Sequence, residues 1–194
     1  MLVLDLETSG LDPTVDFITM VGLMDNDGIR IFSAPANEFR SNPYAAEKKL
    51  LQNVSTAVFK PDTVVTFNGI SYDFPFLSTR FLANELVKPE FFVKSFRHID
   101  LMQYATYLNG GIRISKDMAA SKFCGLYIPH QQSSGAFLAQ IYTQRIVSDA
   151  QHVSTLDHNS RDLVTTFHML DVWKKFPSFR AFYSAKYPDI NEWL

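Results

Sequence analysis

The chain contains a single cysteine, Cys124, which excludes an internal disulfide and any metal centre built from several thiolates. Its thiol is expected to pack as a small hydrophobe. An excess of positive charge is missing too: 18 Lys and Arg stand against 20 Asp and Glu, for a formal net charge of −2. No global basic field advertises a nucleic-acid partner, so any phosphate contact must come from local patches. No apolar run approaches membrane-spanning length, and no charged segment followed by an apolar one precedes the first strand-like run. These absences lead us to expect a soluble, cytoplasmic protein. Internal repeats and low-complexity stretches are absent as well.

What is present is ample material for a core. Of 194 residues, 46% are hydrophobic, and Phe alone occurs 17 times, which suits one domain spanning residues 1–194. Strand-like runs open the chain at Leu2–Leu6, Phe17–Met24 and Ile29–Phe32, and "DNDG" (25–28) between the last two is a hairpin signal. Tyr44–Phe59 reads as an amphipathic helix, with Ala46, Leu50, Val54 and Val58 at helical spacing. "PDTVVTF" (61–67) returns as a short strand. Helical patterns follow at Phe76–Leu86, Leu101–Tyr107, Asp117–Phe123, Ser134–Val147 and Leu156–Phe176, interrupted by the loop-like "LNGGIRIS" (108–115). This order describes an α/β protein, a mixed sheet flanked by helices.

The first strand carries a puzzle. In "LVLDLETSGLDP" (2–13) two acids interrupt a run otherwise built for a core. Strand alternation puts Asp5 and Glu7 on one face, with Cα atoms roughly 6–7 Å apart. Such a pair is costly in a half-buried strand unless a cation or a proton lies between the acids. An edge strand with a solvated polar face would explain them equally well. Asp73 follows the 63–67 strand and precedes Pro75, a position that suits the first turn of a helix. There it either caps a positive helix end or reaches an opening at the strand ends beside Asp5 and Glu7. His158 and Asp162 are four apart in "DHNSRDLVTTFHML" (157–170), so they share one helix face next to the core stripe of Leu156, Leu163, Phe167 and Leu170. An exposed helical His–Asp pair is the plainer account.

Together these residues fit one chemistry. Four carboxylates from three segments match a site for hard cations such as Mg²⁺ or Mn²⁺, which prefer oxygen ligands. Two such ions roughly 3.5–4 Å apart stabilise both the attacking and the leaving oxygen of a phosphodiester displacement. A nearby histidine could deprotonate the attacking water.

At this point the sequence resembles the DEDD superfamily of 3′–5′ exonucleases, built on the ribonuclease H-like fold. "LDLETSGL" is similar to its first motif, "VVTFNGISYDFPFL" to its second and "HNSRD" to its third, so the resemblance spans residues 2 to about 172. It implies that Asp5, Glu7, Asp73 and Asp162 hold two divalent metals and that His158 is the general base. Three residues separate His158 from Asp162, which is the spacing of tyrosine-type members. The "HNxxD" form resembles a branch of predicted exonucleases that also carries an "H-x-DL" segment, matched here by "RHIDL" (97–101). Within it Asp100 is expected to cap a helix and His98 to pack.

The same resemblance implies that Leu6 and Thr8 flank the terminal nucleotide of a single-stranded DNA or RNA 3′ end. Asn68 is assigned to the sugar–phosphate. Tyr72 either stacks on a base or packs beside Phe74 and Phe76. Arg113 and Lys116, in or beside the 108–115 loop, could contact phosphate, although a solvated loop is the plainer account of both, and Gly135 is expected to start a helix. Two other functions remain open: a ribonuclease H-like endonuclease, and a non-cleaving nucleic-acid-binding module of the same fold.

Overall fold

The computed structural model describes residues 1–59, 61–86, 97–128 and 135–194. Among them, five strands form one mixed sheet in the order β3-β2-β1-β4-β5. These are β1 (Leu2–Thr8), β2 (Ile18–Asp25), β3 (Gly28–Ser33), β4 (Thr63–Thr66) and β5 (Arg97–Asp100). β1 lies at the centre, antiparallel to β2 and parallel to β4. The edge-strand explanation of Asp5 and Glu7 is thereby overturned. The turn Asn26–Asp27 joins β2 to β3 as expected, with Asp25 paired to Gly28 and Gly28 at a φ of +125° that favours glycine. β5 is a strand that the sequence pattern did not suggest. Its four residues carry no alternation long enough to read.

The helices are α1 (Ala36–Ser41), α2 (Pro43–Phe59), α3 (Asp73–Ala83), α4 (Leu101–Leu108), α5 (Lys116–Cys124), α6 (Gly135–Thr143), α7 (Asp149–Trp173), α8 (Pro177–Ser184) and α9 (Ile190–Trp193). Local chemistry starts several of them. Pro43 stands first in α2, and the Asn42 side chain accepts from Ala45 N at 3.1 Å. Ser148 and Gln151 form a capping box that begins α7 seven residues before the expected Leu156. That first turn is polar, so the apolar stripe missed it. Ser134, the expected start of α6, lies outside the described residues. The short helices α1, α8 and α9 were not anticipated.

Two cores cover the two faces of the sheet. Leu2, Leu4 and Leu6 pack with Leu50 and Val54 of α2 and with Phe76 and Phe81 of α3. Val3 and Val65 pack on the other side with Tyr104, Leu163, Met169, Trp173 and Phe179. Asp5 and Glu7 follow Val3 on that second face. The first core encloses an ion pair. Glu47, fully buried, takes bonds from Arg80 at 2.6–3.1 Å and from Ile18 N at 2.7 Å, while Arg80 also reaches Pro13 O at 3.3 Å. This pair ties α2 and α3 to the segment that leads from β1 into β2.

Arg80→Ala should therefore cost about 3–5 kcal/mol, because it leaves Glu47 charged and unpaired in the interior. Urea unfolding would measure it. A loss below about 1 kcal/mol, the worth of an exposed pair, would show that solvent reaches Glu47.

Candidate active site

The acids of β1, α3 and α7 converge at the ends of the parallel strands β1 and β4. β1 supplies Asp5 and Glu7. The register of β1 against β2 slips between Glu7 and Thr8, where Glu7 faces Met20 but Thr8 faces Ile18. Such an extra residue bends a strand and re-aims its side chains. α3 supplies Asp73 as its first residue, buried, with its Oδ1 accepting from Leu6 N at 3.1 Å. That bond stitches the second segment to the first. α7 supplies His158, whose Nε2 lies 3.9 Å from Glu7 Oε1, and Asp162 one turn later.

A lysine closes the cluster. Lys116 Nζ lies 2.8 Å from Asp5 Oδ1 and 2.6 Å from Asp162 Oδ2, with its side chain only 13% exposed. The expectation of a solvated loop lysine is wrong. Lys116 is the first residue of α5, and its aliphatic stem carries the ammonium into the acids. Arg113 is exposed, as expected, and donates to Asn68 Oδ1 at 2.7 Å.

The electrostatics follow from burial. Burial, with the repulsion of Asp5 and Asp162 added, holds the Glu7 carboxyl well above its ordinary value. Burial and the Asp5 charge do the same to Asp73. Asp5 is also raised by burial, but Lys116 offsets part of that rise. For Lys116 burial works against the charge, and Asp5 and Asp162 more than reverse it, so its ammonium is held well above the usual lysine range. The donor set consists of hard oxygens with one imidazole, which suits Mg²⁺ or Mn²⁺. A cation already joins Asp5 to Asp162, although it is an ammonium. Among the described residues, no three His, Cys, Asp or Glu side chains are closed around one point where an ion could sit.

The remaining expected contacts sort themselves around this cluster. The Leu6 side chain packs in the first core, leaving its backbone at the site. Thr8 Oγ1 lies 2.5 Å from Tyr72 Oη, and Tyr72 also donates to Gly10 O at 3.1 Å while its ring rests on Phe76. Asn68 takes a φ of +75° and is held by Asp100, whose carboxylate accepts from Asn68 N at 2.7 Å and Ile70 N at 3.0 Å. Asp100 caps α4 through Met102 N as expected. It therefore also fixes the turn that delivers Asp73. Gly69 in that turn has no alternative, since a Cβ there would meet Thr66 Oγ1 at 2.2 Å. His98 packs against Phe74, lies 2.8 Å from Thr66 Oγ1, and is pushed down to about 4 by burial. Gly135 begins α6, where a Cβ would lie 3.6 Å from His158 Nε2.

A family model for the RNase_H superfamily, RNase_H_2, matches residues 2–174. The chain belongs to the RNase H superfamily. Solved structures show the same fold. The family B DNA polymerase of the hyperthermophilic archaeon Pyrobaculum calidifontis matches 88% of this chain at 18% identity and a TM-score of 0.63, although the match spans 24% of the polymerase chain. Brucella melitensis NrnC matches 94% of this chain at 18% identity and a TM-score of 0.55, over 79% of its own length. A structure described as the apo form of a nuclease matches 95% at 16% identity and 0.51, over 73% of its length. No curated protein sequence matches the chain. The family and the fold support a nuclease.

In this RNase H-like domain one site residue, Asn159, escaped the sequence reading, and another, Lys116, was read as solvated. Asn159 is fully buried, and its Nδ2 donates to Asp5 Oδ2 at 2.9 Å. Its Oδ1 is buried without a hydrogen-bond partner. It fits because Gly22, which pairs with Asp5 across β1 and β2, leaves room, whereas a Cβ at Gly22 would stand 2.0 Å from Asn159 Oδ1. A glycine inside a strand signals such a close approach, and "MVGLM" carried that signal. Lys116 had none, since nothing local separates a lysine that turns inward from one that faces solvent.

Glu7→Gln should raise the Tm of the metal-free protein by a few degrees near neutral pH, because it removes a charge the folded state disfavours. The sign is fixed by linkage. The folded pKa lies above the unfolded one, so the native glutamate costs stability only where it is charged. The gain should vanish below pH 4.5, where glutamate is protonated in both states. Thermal melts at both pH values would test this, and a lower Tm at neutral pH would make Glu7 a structural acid.

Proposed function

We propose that the chain is a metal-dependent 3′–5′ exonuclease of the DEDD type, a single domain over residues 1–194 that hydrolyses phosphodiester bonds at the 3′ end of single-stranded DNA or RNA. The observation that carries this reading is the convergence of four carboxylates from three distant segments, with an imidazole beside them, at the ends of β1 and β4. A purely structural role gives no reason to gather so much desolvated negative charge.

In this reading Asp5, Glu7, Asp73 and Asp162 hold two divalent cations, Mg²⁺ or Mn²⁺. When bound, these supply positive charge to the attacking and leaving oxygens of the displacement. The chain's own residues do the rest. His158 takes the proton of the attacking water at Nε2, which lies 3.9 Å from Glu7 Oε1 at the edge of the cluster. Asn159 holds Asp5 from behind through its amide. Thr8, Asn68, Tyr72 and the backbone at Leu6 grip the terminal nucleotide, and the Tyr72 hydroxyl keeps the Thr8 side chain in place.

His158→Ala should lower kcat by roughly 10²–10⁴, the usual worth of a positioned acid–base group, while leaving Mn²⁺ affinity nearly unchanged. Asp162→Ala should instead weaken Mn²⁺ binding. Cleavage at the native rate by His158→Ala would end the general-base assignment.

Polarity is tested with end-labelled single strands in Mg²⁺ or Mn²⁺. Products should shorten from the 3′ end as mononucleotides, and a 3′-phosphate should block digestion. Cuts within a circular single strand would instead make the protein an endonuclease of the ribonuclease H kind. With a net charge of −2, substrate binding should be weak and readily lost as salt rises.

A further inference from the structure

Lys116 sits where helix electrostatics disfavour it. It opens α5, directly after the Ser115 cap, and the start of a helix carries partial positive charge that favours acids over cations. Its side chain also gives up rotational freedom to reach inward, which is costly for a lysine. Both penalties are met by the contacts at its tip, 2.8 Å to Asp5 and 2.6 Å to Asp162. Those two residues come from β1 and α7, 157 positions apart, and the ammonium is the group that joins them.

We propose that Lys116 is a built-in competitor for the metal site: its ammonium holds Asp5 and Asp162 together in the metal-free protein, and uptake of a divalent cation between those carboxylates displaces it. This inference rests on the metal-binding reading of the acids. The geometry is exclusive. The ammonium uses Oδ1 of Asp5 and Oδ2 of Asp162, and a hard divalent cation needs oxygens of the same carboxylates at about 2.0–2.1 Å. Two desolvated cations cannot share those oxygens without strong mutual repulsion. Lysine suits the task because its charge rides on a flexible four-carbon stem that can swing out while α5 stays in place. α5 itself is anchored by Ala119 and Ala120 in the second core, so displacement requires only side-chain rotation. The consequence is a site that keeps its acids paired when empty and fills above a metal concentration set by that lysine.

The test uses Mn²⁺ alone, with no substrate. Calorimetric titration of the native protein and of Lys116→Met should show the variant binding Mn²⁺ about tenfold tighter or more, within the ordinary range of coupling between two mutually exclusive events. Its metal-free Tm should fall and its Mn²⁺-induced rise in Tm should exceed that of the native protein. A second measurement needs no variant. Labelling of the native protein with a small amine-reactive reagent, read by mass spectrometry, should find Lys116 protected without metal and reactive at saturating Mn²⁺, with the surface lysines unchanged. Either an unchanged or weaker affinity in Lys116→Met, or a Lys116 that stays protected when Mn²⁺ is bound, overturns the displacement and makes the lysine a fixed neighbour of the ion. Absence of Mn²⁺ binding by both proteins overturns the metal reading itself, and the displacement with it.

Discussion

Asp5, Glu7 and Asp73 are carboxylates withdrawn from water within reach of one another, and every element around them accommodates that fact. A carboxylate in such a place either keeps its proton or acquires a partner. For Glu7 and Asp73, burial and their neighbours' charge hold the carboxyls well above the usual range. Asp5 has partners, with Lys116 on one oxygen and the Asn159 amide on the other. The cluster is therefore poised. It is tolerable as it stands and better satisfied by a stronger cation than the ammonium that now joins two of its members.

Holding the acids in place takes more of the chain than the acids themselves. Asp100 binds two backbone amides of the Asn68–Tyr72 turn while capping α4, so β5 and α4 both fix where α3 begins and where Asp73 points. The Glu47–Arg80 pair fixes the other end of that relationship by tying α3 to α2 and to the segment after β1. On the opposite face, Tyr104, Trp173, Phe179 and Tyr183 stack edge to face and anchor the C-terminal half of α7. Asp162 and His158 ride on the same rigid helix. A site built on a central strand and two packed helices is held more closely than loops would allow.

The similarity to known structures is one of architecture. At 16–18% identity the matched chains share the sheet and its helices, and a fold alone does not carry an activity. What argues for hydrolysis here is particular to these residues: hard-oxygen donors, an imidazole 3.9 Å from one of them, and a register slip against β2 beside Glu7 at the end of β1. The arrangement of Thr8, Tyr72 and Gly10 beside them is a polar rim, already hydrogen-bonded within itself.

The sequence by itself determined the α/β class, the hairpin at Asp25–Gly28, the helix over 44–59 and the candidacy of Asp5, Glu7, Asp73, His158 and Asp162. Each of these depends on local periods or on charges out of place in an apolar run, and both are visible along the chain. Asp5 and Glu7 were conspicuous because strand alternation alone puts them on one face. Only the tertiary structure decided that β1 is the central strand, that Asp100 reaches back to the Asn68 turn, that Gly22 makes room for Asn159, and that Lys116 faces inward. These four are relations between residues from 10 to 154 positions apart. A lysine at a helix start looks the same in sequence whether its tip meets water or two carboxylates, because the difference lies in where the other segments come to rest.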